Sequence, residues 1–475
     1  MKKVISLLMS FVMLLSVTSG LSLNAYAGTK TSGKCGKSVF WNYNTTTATL
    51  IISGNGKMYD YGYENRVTPK WSVFGSFESS SRKKAPSIKK VIFEEGVTSI
   101  GESAFDECED IEYIYLSSTI ERIDSNLNEG FALKNIEVSS QNNYFSTNNG
   151  ILFSKDESVI YCYPSQKKSN TYNIPNTVEI IEFGAFAHSN LLNIQIPNSV
   201  KRIEDGAFYF SAQLEKIYIP SSVEYIGNKV FEICYNLKEI NVSENNLQYS
   251  SENGILFNKA KTELIKFPPS KNLSIYNITN SVVLIYPYSF TDATKLYSVS
   301  FPSSIKSIGY STFFDSGIKT VFIPKNVSEI DDAFFCSDLY DVYYSGNKDD
   351  WQAMKIDDEH LKSATIHFEV SSLPKSKPKP TSTKITSIKN TKEYTAFNWQ
   401  KAKNVAGYHI QMSTDKNFKK NVKKCYVQNN KYNKYKTYNL KNNKIYYLRV
   451  RGYGYLYNGK KVYGKWSKVK SVKTK

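Results

Sequence analysis

Leu214-Glu215-Lys216-Ile217-Tyr218-Ile219-Pro220-Ser221-Ser222-Val223-Glu224-Tyr225-Ile226, with Phe231 just beyond, is the stretch that decides the fold. Ile217 and Ile219 alternate with polar or aromatic neighbours, the pattern of a strand with one buried face. Pro220-Ser221-Ser222 bends the chain, Val223 and Ile226 turn back inward, and Phe231 closes the coil. The same skeleton is written eight times, its closing isoleucine at Ile100, Ile123, Ile181, Ile203, Ile226, Ile285, Ile308 and Ile330, with gaps of 23, 58, 22, 23, 59, 23 and 22 residues. Regular spacing of this kind marks a repeat architecture. A unit of 22 or 23 residues cannot bury its apolar face alone. Stacked units bury it against one another, each strand pairing in parallel with its neighbour.

The two long gaps are copies of one another. Asn149-Gly150-Ile151-Leu152-Phe153 returns as Asn253-Gly254-Ile255-Leu256-Phe257, a shift of 104 residues, and Ile181 to Ile285 is the same 104. A unit of several rungs was therefore duplicated whole. In both copies an Asn-Gly pair stands beside an alternating apolar run, a strong hairpin signal. The insertions, about residues 141–172 and 245–276, are read as hairpins projecting from the stack; the alternative is a loop that merely pads the solenoid.

Charge divides the chain. The formal net charge is +18, but from Ser371 onward 25 Lys and 2 Arg face only Glu393 and Asp415, so this segment carries +25 and the remainder −7. The seam, Leu373-Pro374-Lys375-Ser376-Lys377-Pro378-Lys379-Pro380, alternates Pro and Lys and reads as an extended, solvated spacer. Beyond it Tyr408, Ile410 and Met412 alternate, as do Tyr446, Leu448 and Val450, which predicts short strands in a small β-sandwich with Trp399 and Trp466 as core bulk. Before the repeats, Cys35–Tyr61 reads as a first cap, since a bare terminal strand invites edge pairing. After them Trp351–Val370 reads as a second, with Asp349, Asp350, Asp357, Asp358 and Glu359 as a solvated acidic face whose spacing fits no EF-hand.

At the N-terminus Lys2 and Lys3, the apolar run Val4–Val17 and Ala25-Tyr26-Ala27 form a secretory signal with cleavage after about Ala27. The mature part has no later apolar stretch long enough to span a bilayer. The reading divides the chain into signal peptide (1–27), N-terminal cap region (28–87), solenoid (88–345), C-terminal cap (346–370), Pro/Lys linker (371–383) and terminal module (384–475). Six Cys are scattered, and no spacing resembles a disulfide framework or a zinc site. Cys108 and Cys234 each follow a repeat Phe by three residues and read as small buried apolar residues. The four His (His188, His360, His367, His409) stand in no nucleophile or metal-ligand context, and no phosphate loop or dinucleotide fingerprint is present. Neither an enzyme, a cofactor nor a metal is expected.

The repeated Ile-x-Ile-Pro-x-Ser-Val-x-x-Ile and Gly-Ala-Phe, as at Ile194–Ile203 and Gly206-Ala207-Phe208, resemble the BspA-type leucine-rich repeats of bacterial surface proteins. So do Asn-Gly-Ile-Leu-Phe and Val342-Tyr343-Tyr344-Ser345-Gly346 with Trp351. The resemblance runs from about Cys35 to Val370. Copies depart from the pattern at Leu127, where Phe is expected, and near Phe334-Phe335. It implies a mainly β fold, a right-handed leucine-rich-repeat solenoid, on an exported or cell-surface protein of a family associated with adhesion. Trp399, Gly407-Tyr408, Leu440 with Tyr446, and Leu448-Arg449-Val450-Arg451 resemble a fibronectin type III module, with a tyrosine corner at Tyr446. No Arg-Gly-Asp triplet is present.

Strand residues that alternate with the buried ones face outward. At the position before the third apolar residue stand Tyr115, Tyr218 and Phe322, 103 and 104 residues apart, together with Tyr343. Tyr113, Tyr297 and Tyr340 are neighbours on that face. These seven are the candidate ligand contacts, for an extracellular protein or glycan; the alternative is that they only cover the sheet. Lys419, Lys420, Lys423, Lys424, Lys460 and Lys461 are candidate contacts to a polyanion such as anionic cell-wall polymer, with no specific nucleic acid expected. A structural envelope scaffold, or an accessory module of an extracellular enzyme system, is the alternative function.

Overall fold

The computed structural model describes residues 31–61, 71, 87–106, 108–128, 130–361, 364–374, 379–428, 430–438 and 440–475. The signal-peptide reading of residues 1–27 lies outside them, as do residues 375–378 of the Pro/Lys stretch.

Each rung supplies two short strands, one to each of two parallel ladders. The Ile-x-Ile half makes the first ladder: Asn193–Gln195, Lys216–Ile219 and Glu239–Val242 pair so that Ile194, Ile217 and Ile240 lie in one row. The Val-x-x-Ile half makes the second: Ile180–Ile181, Arg202–Ile203 and Tyr225–Ile226 put Ile181, Ile203 and Ile226 side by side. Apolar rows from the two ladders meet inside, where Ile194, Ile203, Ile217, Val223 and Ile240 share one cluster. The closing phenylalanines form columns of nearly parallel rings. Phe186–Phe208 and Phe208–Phe231 stand 5.3 and 5.8 Å apart, and Phe290–Phe313 and Phe313–Phe334 4.8 and 5.2 Å. Phe334, not Phe335, thus continues the column. Offset stacks of this kind add about 0.5–1.5 kcal/mol each to the burial itself.

Six of the eight closing isoleucines are buried; Ile123 and Ile226 are only half-buried. These two end their sheets, Arg122–Ile123 and Tyr225–Ile226 each being the last second-ladder strand before an insertion. No further rung covers them there.

The insertions form hairpins, Phe145–Asn148 with Ile151–Ser154 and Tyr249–Glu252 with Ile255–Asn258. They do not project. Ile151, Leu152, Phe153 and Ile255, Leu256, Phe257 are buried, and a third strand of each returns to the second ladder, Val159–Cys162 beside Ile180–Ile181 and Glu263–Lys266 beside Leu284–Ile285. Asn149-Gly150 and Asn253-Gly254 all take positive φ, as a tight hairpin turn requires. Each turn tucks against the first ladder: Ile136 N–H donates to Gly150 O and Ile240 N–H to Gly254 O. The turns split the first ladder into three sheets, ending at Asn135–Val138, at Glu239–Val242 and at Thr365–His367. Each insertion is anchored by a buried asparagine. Asn142 Nδ2 donates to Ser117 O and Ile120 O while its Oδ1 accepts from Tyr144 and Phe145 N–H. Asn246, 104 residues on, repeats all four bonds, to Pro220 O and Val223 O and from Gln248 and Tyr249 N–H.

At the N-terminal end the antiparallel strands Ser32–Lys34, Val39–Asn44 and Thr49–Gly54 close the first sheet, the last pairing in parallel with Lys90–Phe93. At the other end a short helix, Lys348–Ala353, capped by Asn347, brings Trp351 against Tyr344 at 5.1 Å. Lys355–Asp357 and Thr365–His367 then extend both ladders by one more rung. Asp358 is not part of a solvated face. It is 2% exposed and accepts from Phe334, His360 and Leu361 N–H.

The terminal module consists of two antiparallel sheets around one core. Ile385–Asn390, Thr395–Trp399 and Lys434–Thr437 form one; Lys423–Val427, Gly407–Ser413, Ile445–Tyr455, Lys461–Tyr463 and Lys470–Lys473 form the other. Trp399, Tyr408, Ile410, Met412, Leu448 and Val450 fill the space between. Tyr446 OH accepts from Lys441 N–H, five residues back. The spacer is shorter than its composition suggests, because Pro380 and Thr383 are already buried in the module. No disulfide joins the described cysteines; Cys35, Cys162 and Cys234 are buried, Cys108 and Cys425 half-buried and Cys336 exposed.

Candidate binding faces

The outward side chains of the first ladder alternate with the buried ones, so Tyr115, Tyr218 and Phe322 all point away from the core. Tyr218 is 53% exposed, while Tyr115 and Phe322 are half-buried. The three aromatics lie in three different sheets, because a hairpin turn intervenes between each pair. Tyr113 is engaged by its neighbours. Lys90 Nζ sits 4.4 Å from its ring centre and its hydroxyl donates to Glu137 Oε2 at 2.5 Å. Burial and that carboxylate hold its phenol well above the usual range.

The far end of the same ladder is covered by the module. Ser298 Oγ donates to Tyr457 O at 3.0 Å and Tyr340 OH to Tyr455 O at 3.3 Å. The Tyr340–Tyr455 and Tyr343–Tyr457 ring pairs are 6.0 and 6.3 Å apart. Gly459 lies flat on Tyr297, where a Cβ would come within 2.2 Å of the ring, and its φ of +75 independently favours glycine. Tyr343 is 5% exposed and stacks at 4.5 Å on His367, whose Nε2 is 2.9 Å from Asp341 Oδ1. Burial is the main reason the Tyr340 and Tyr343 phenols are held well above the usual range. The seven aromatics expected on the outward face are therefore not equally available. Tyr113, Tyr115 and Tyr218 stand clear of this contact, Tyr297, Tyr340 and Tyr343 lie in it, and Phe322 borders it in the row with Ser300 and Tyr343. No periodic signal marks this contact, because the docking loop Tyr455–Lys460 is one-off and shares no spacing with the rungs.

On the module, the six candidate lysines fall at two ends of the five-stranded sheet. Lys419 and Lys420 occupy the turn whose N–H groups Asp415 accepts, and Lys423 and Lys424 open the next strand. Lys460 and Lys461 lie across the docking hairpin, Lys461 Nζ standing 4.5 Å over the Tyr453 ring. Between the two ends run rows that the sequence reading passed over: Lys424–Gln411–Arg449 and Tyr426–His409–Arg451. Trp466 is not core bulk. It lies on this outer face, 4.4 Å from the Arg449 guanidinium and 4.2 Å from that of Arg451. The alternation of His409 and Gln411, and of Arg449 and Arg451, with buried residues was the available signal.

A cavity of about 750 Å³ opens beside the second ladder near Leu127, lined among others by Asp60, Glu102, Asp124, Glu182 and Arg122. Leu127, which stands where the repeat has Phe, is among its lining residues. Among the described residues no group of His, Cys, Asp and Glu could hold a metal ion, and no helix is long and apolar enough to cross a membrane.

The BspA type leucine rich repeat region, in six copies, matches residues 75–159, 157–276 and 265–377. The chain belongs to this family of BspA-type leucine-rich-repeat proteins. The matched residues include both ladders from Lys90–Phe93 onward and both insertions. Among solved structures the chain is similar to a leucine-rich repeat protein from Eubacterium ventriosum, with 21% identity, TM-score 0.35, and coverage of 64% of this chain and 94% of that one. It is similar to a leucine rich cell surface protein from Faecalibacterium prausnitzii, with 20% identity, TM-score 0.37, and coverage of 71% and 99%. The FN1–FN3 domains of chicken CNTN1 match 21% of this chain and 31% of that one, at 23% identity and TM-score 0.18. No curated protein matches the chain.

Proposed function

We propose that the protein is exported, with a signal peptide cleaved after about Ala27, and acts at the cell surface as an adhesin. Its solenoid, coiled right-handed as parallel crossovers are, captures a protein or glycan ligand on the first-ladder face. Tyr113, Tyr115 and Tyr218 are the contacts, with Phe322 at the margin. Tyr297, Tyr340 and Tyr343 instead seat the terminal module, which is a fibronectin type III-like sandwich. The basic face of that module holds the chain to anionic wall polymer. The observation that carries the reading is Tyr218, a large aromatic left more than half exposed on the middle sheet. Exposed aromatics on a rigid sheet are favoured anchors because little side-chain freedom is lost on binding.

The test is capture of purified matrix proteins and mucin glycans by the full chain and by a Tyr115→Ser, Tyr218→Ser, Phe322→Ser variant. Loss of about tenfold or more in affinity, with unchanged melting, is the expected result. Unchanged capture by the folded variant eliminates the face.

A further inference from the structure

The outer face of the module's five-stranded sheet carries a stack of alternating cations and rings. The Arg449 guanidinium lies between Phe418 and Trp466, at 4.1 and 4.4 Å. That of Arg451 lies between Trp466 and Tyr463, at 4.2 and 3.8 Å. The inner edge of each guanidinium is occupied. Arg449 Nε and Nη2 donate to Gln411 Oε1 at 2.8 and 2.5 Å. Arg451 Nε and Nη2 lie 3.3 and 3.2 Å from His409 Nδ1. A guanidinium can only donate, so His409 is neutral with Nδ1 as acceptor. Burial first, and the Arg451 charge second, press its pKa down to about 4, which agrees with the neutral form.

Two features make this stack more than sheet covering. The first is charge. Cations on a sheet face are ordinarily matched by carboxylates, yet the module has only Glu393 and Asp415. Asp415 is taken up by the N–H groups of Asn417, Lys419 and Lys420. Neither arginine pairs with a carboxylate among the described residues. The second is geometry. A guanidinium has five N–H donors in a planar fork, and only the inner side of each fork is used here. The flanking rings keep water from both flat faces, which strengthens attraction at the remaining edge. Arg449 and Arg451 are two residues apart on one strand, so their Cα atoms stand about 6.7 Å apart along the strand axis. Consecutive phosphates of an extended phosphodiester chain have comparable spacing. Lys424 extends the row on one side and Lys461 borders it on the other.

We propose that Arg449 and Arg451, held by Trp466, form a site for successive phosphates of a phosphodiester polymer of the poly(glycerol phosphate) kind. The site rests on the wall-polymer reading of the module and names its contacts. Each phosphate accepts from the outer N–H edge of one guanidinium, and the lysines at the two ends add attraction without fixing register.

The first test uses the unaltered full chain. Arginine modification by phenylglyoxal is followed at each residue by mass spectrometry, with and without poly(glycerol phosphate). The polymer should slow modification of Arg449 and Arg451 about tenfold while Arg122 and Arg202 on the solenoid react as before. Equal slowing of all four, or of none, overturns the site. The second test compares polymer affinity of the charge-matched variants Arg449→Gln/Arg451→Gln and Lys419→Gln/Lys420→Gln. Losses of about tenfold and about twofold are expected. Equal losses overturn the arginine site and leave the wall-polymer reading standing, whereas absence of polymer binding by the unaltered chain removes that reading itself. Stronger protection by heparin at matched charge assigns the face to sulfated glycans and overturns the phosphodiester proposal.

Discussion

Where the first copy of the duplicated unit buries Cys162, the second, 104 residues on, buries Lys266. The backbone is the same at both places. His188 and Asp292 occupy one position, both with positive φ, and their N–H groups donate to Tyr209 O and Phe314 O. Asn128 and Glu232 occupy another. In the first copy Asn128 donates to Tyr163 O and accepts from Ser165 N–H. In the second the residue at Ser165's place is Pro269, which has no N–H to give, and Glu232 is left with a buried oxygen that has no hydrogen-bond partner. Lys266 supplies the opposite charge instead, its Nζ also donating to Tyr288 O at 2.9 Å. One interior holds Asn128, Cys162 and His188, with Asn128 hydrogen-bonded and no carboxylate or lysine among them; the other holds the trio of Glu232, Lys266 and Asp292. Side chains in the same slot have changed together, because a buried charge is tolerated only with partners.

The largest expected effect follows from breaking the trio. Lys266→Met leaves the buried Asp292 and the half-buried Glu232 without their cation and should cost about 3–5 kcal/mol in urea denaturation at neutral pH. A loss under about 1 kcal/mol would mean that the three groups are not coupled.

Removing the trio altogether should have a smaller effect of opposite sign. Glu232→Asn, Lys266→Cys and Asp292→Asn together restore a neutral interior, with stability at neutral pH unchanged or about 1–4 kcal/mol higher. The pH profile sharpens the same comparison. Burial raises the Asp292 carboxyl from 3.8 to about 6. A raised carboxyl pKa means that the folded state holds its proton more tightly than the unfolded one. Its contribution is therefore complete below the unfolded value and is lost as pH rises through about 6. The original chain should lose stability over that window and the triple variant should not. A slope retained in the variant would place its origin elsewhere.

The repeated parts of the molecule were legible in the sequence because every rung restates them. Ile194, Ile217 and Ile240 pair in one row as their spacing implies. The hairpins were legible from Asn149-Gly150 and Asn253-Gly254, but not their return into the wall, which depends on Asn142 and Asn246 bonding across to the previous rung. Those asparagines could have been found, since they recur at the 104-residue shift. The contact of Tyr455–Lys460 with Tyr297, Tyr340 and Tyr343 occurs once and leaves no periodic trace. Trp466 read as core because its size outweighed the alternation that places it beside Arg449 and Arg451.

The division of the first-ladder face into a covered end and an uncovered remainder is tested most directly by tyrosine nitration of the full chain, resolved residue by residue with mass spectrometry. Tyr218 should react readily and Tyr115 measurably, with Tyr297, Tyr340 and Tyr343 protected. Nitration of Tyr340 and Tyr343 at the rate of Tyr218 would contradict the account.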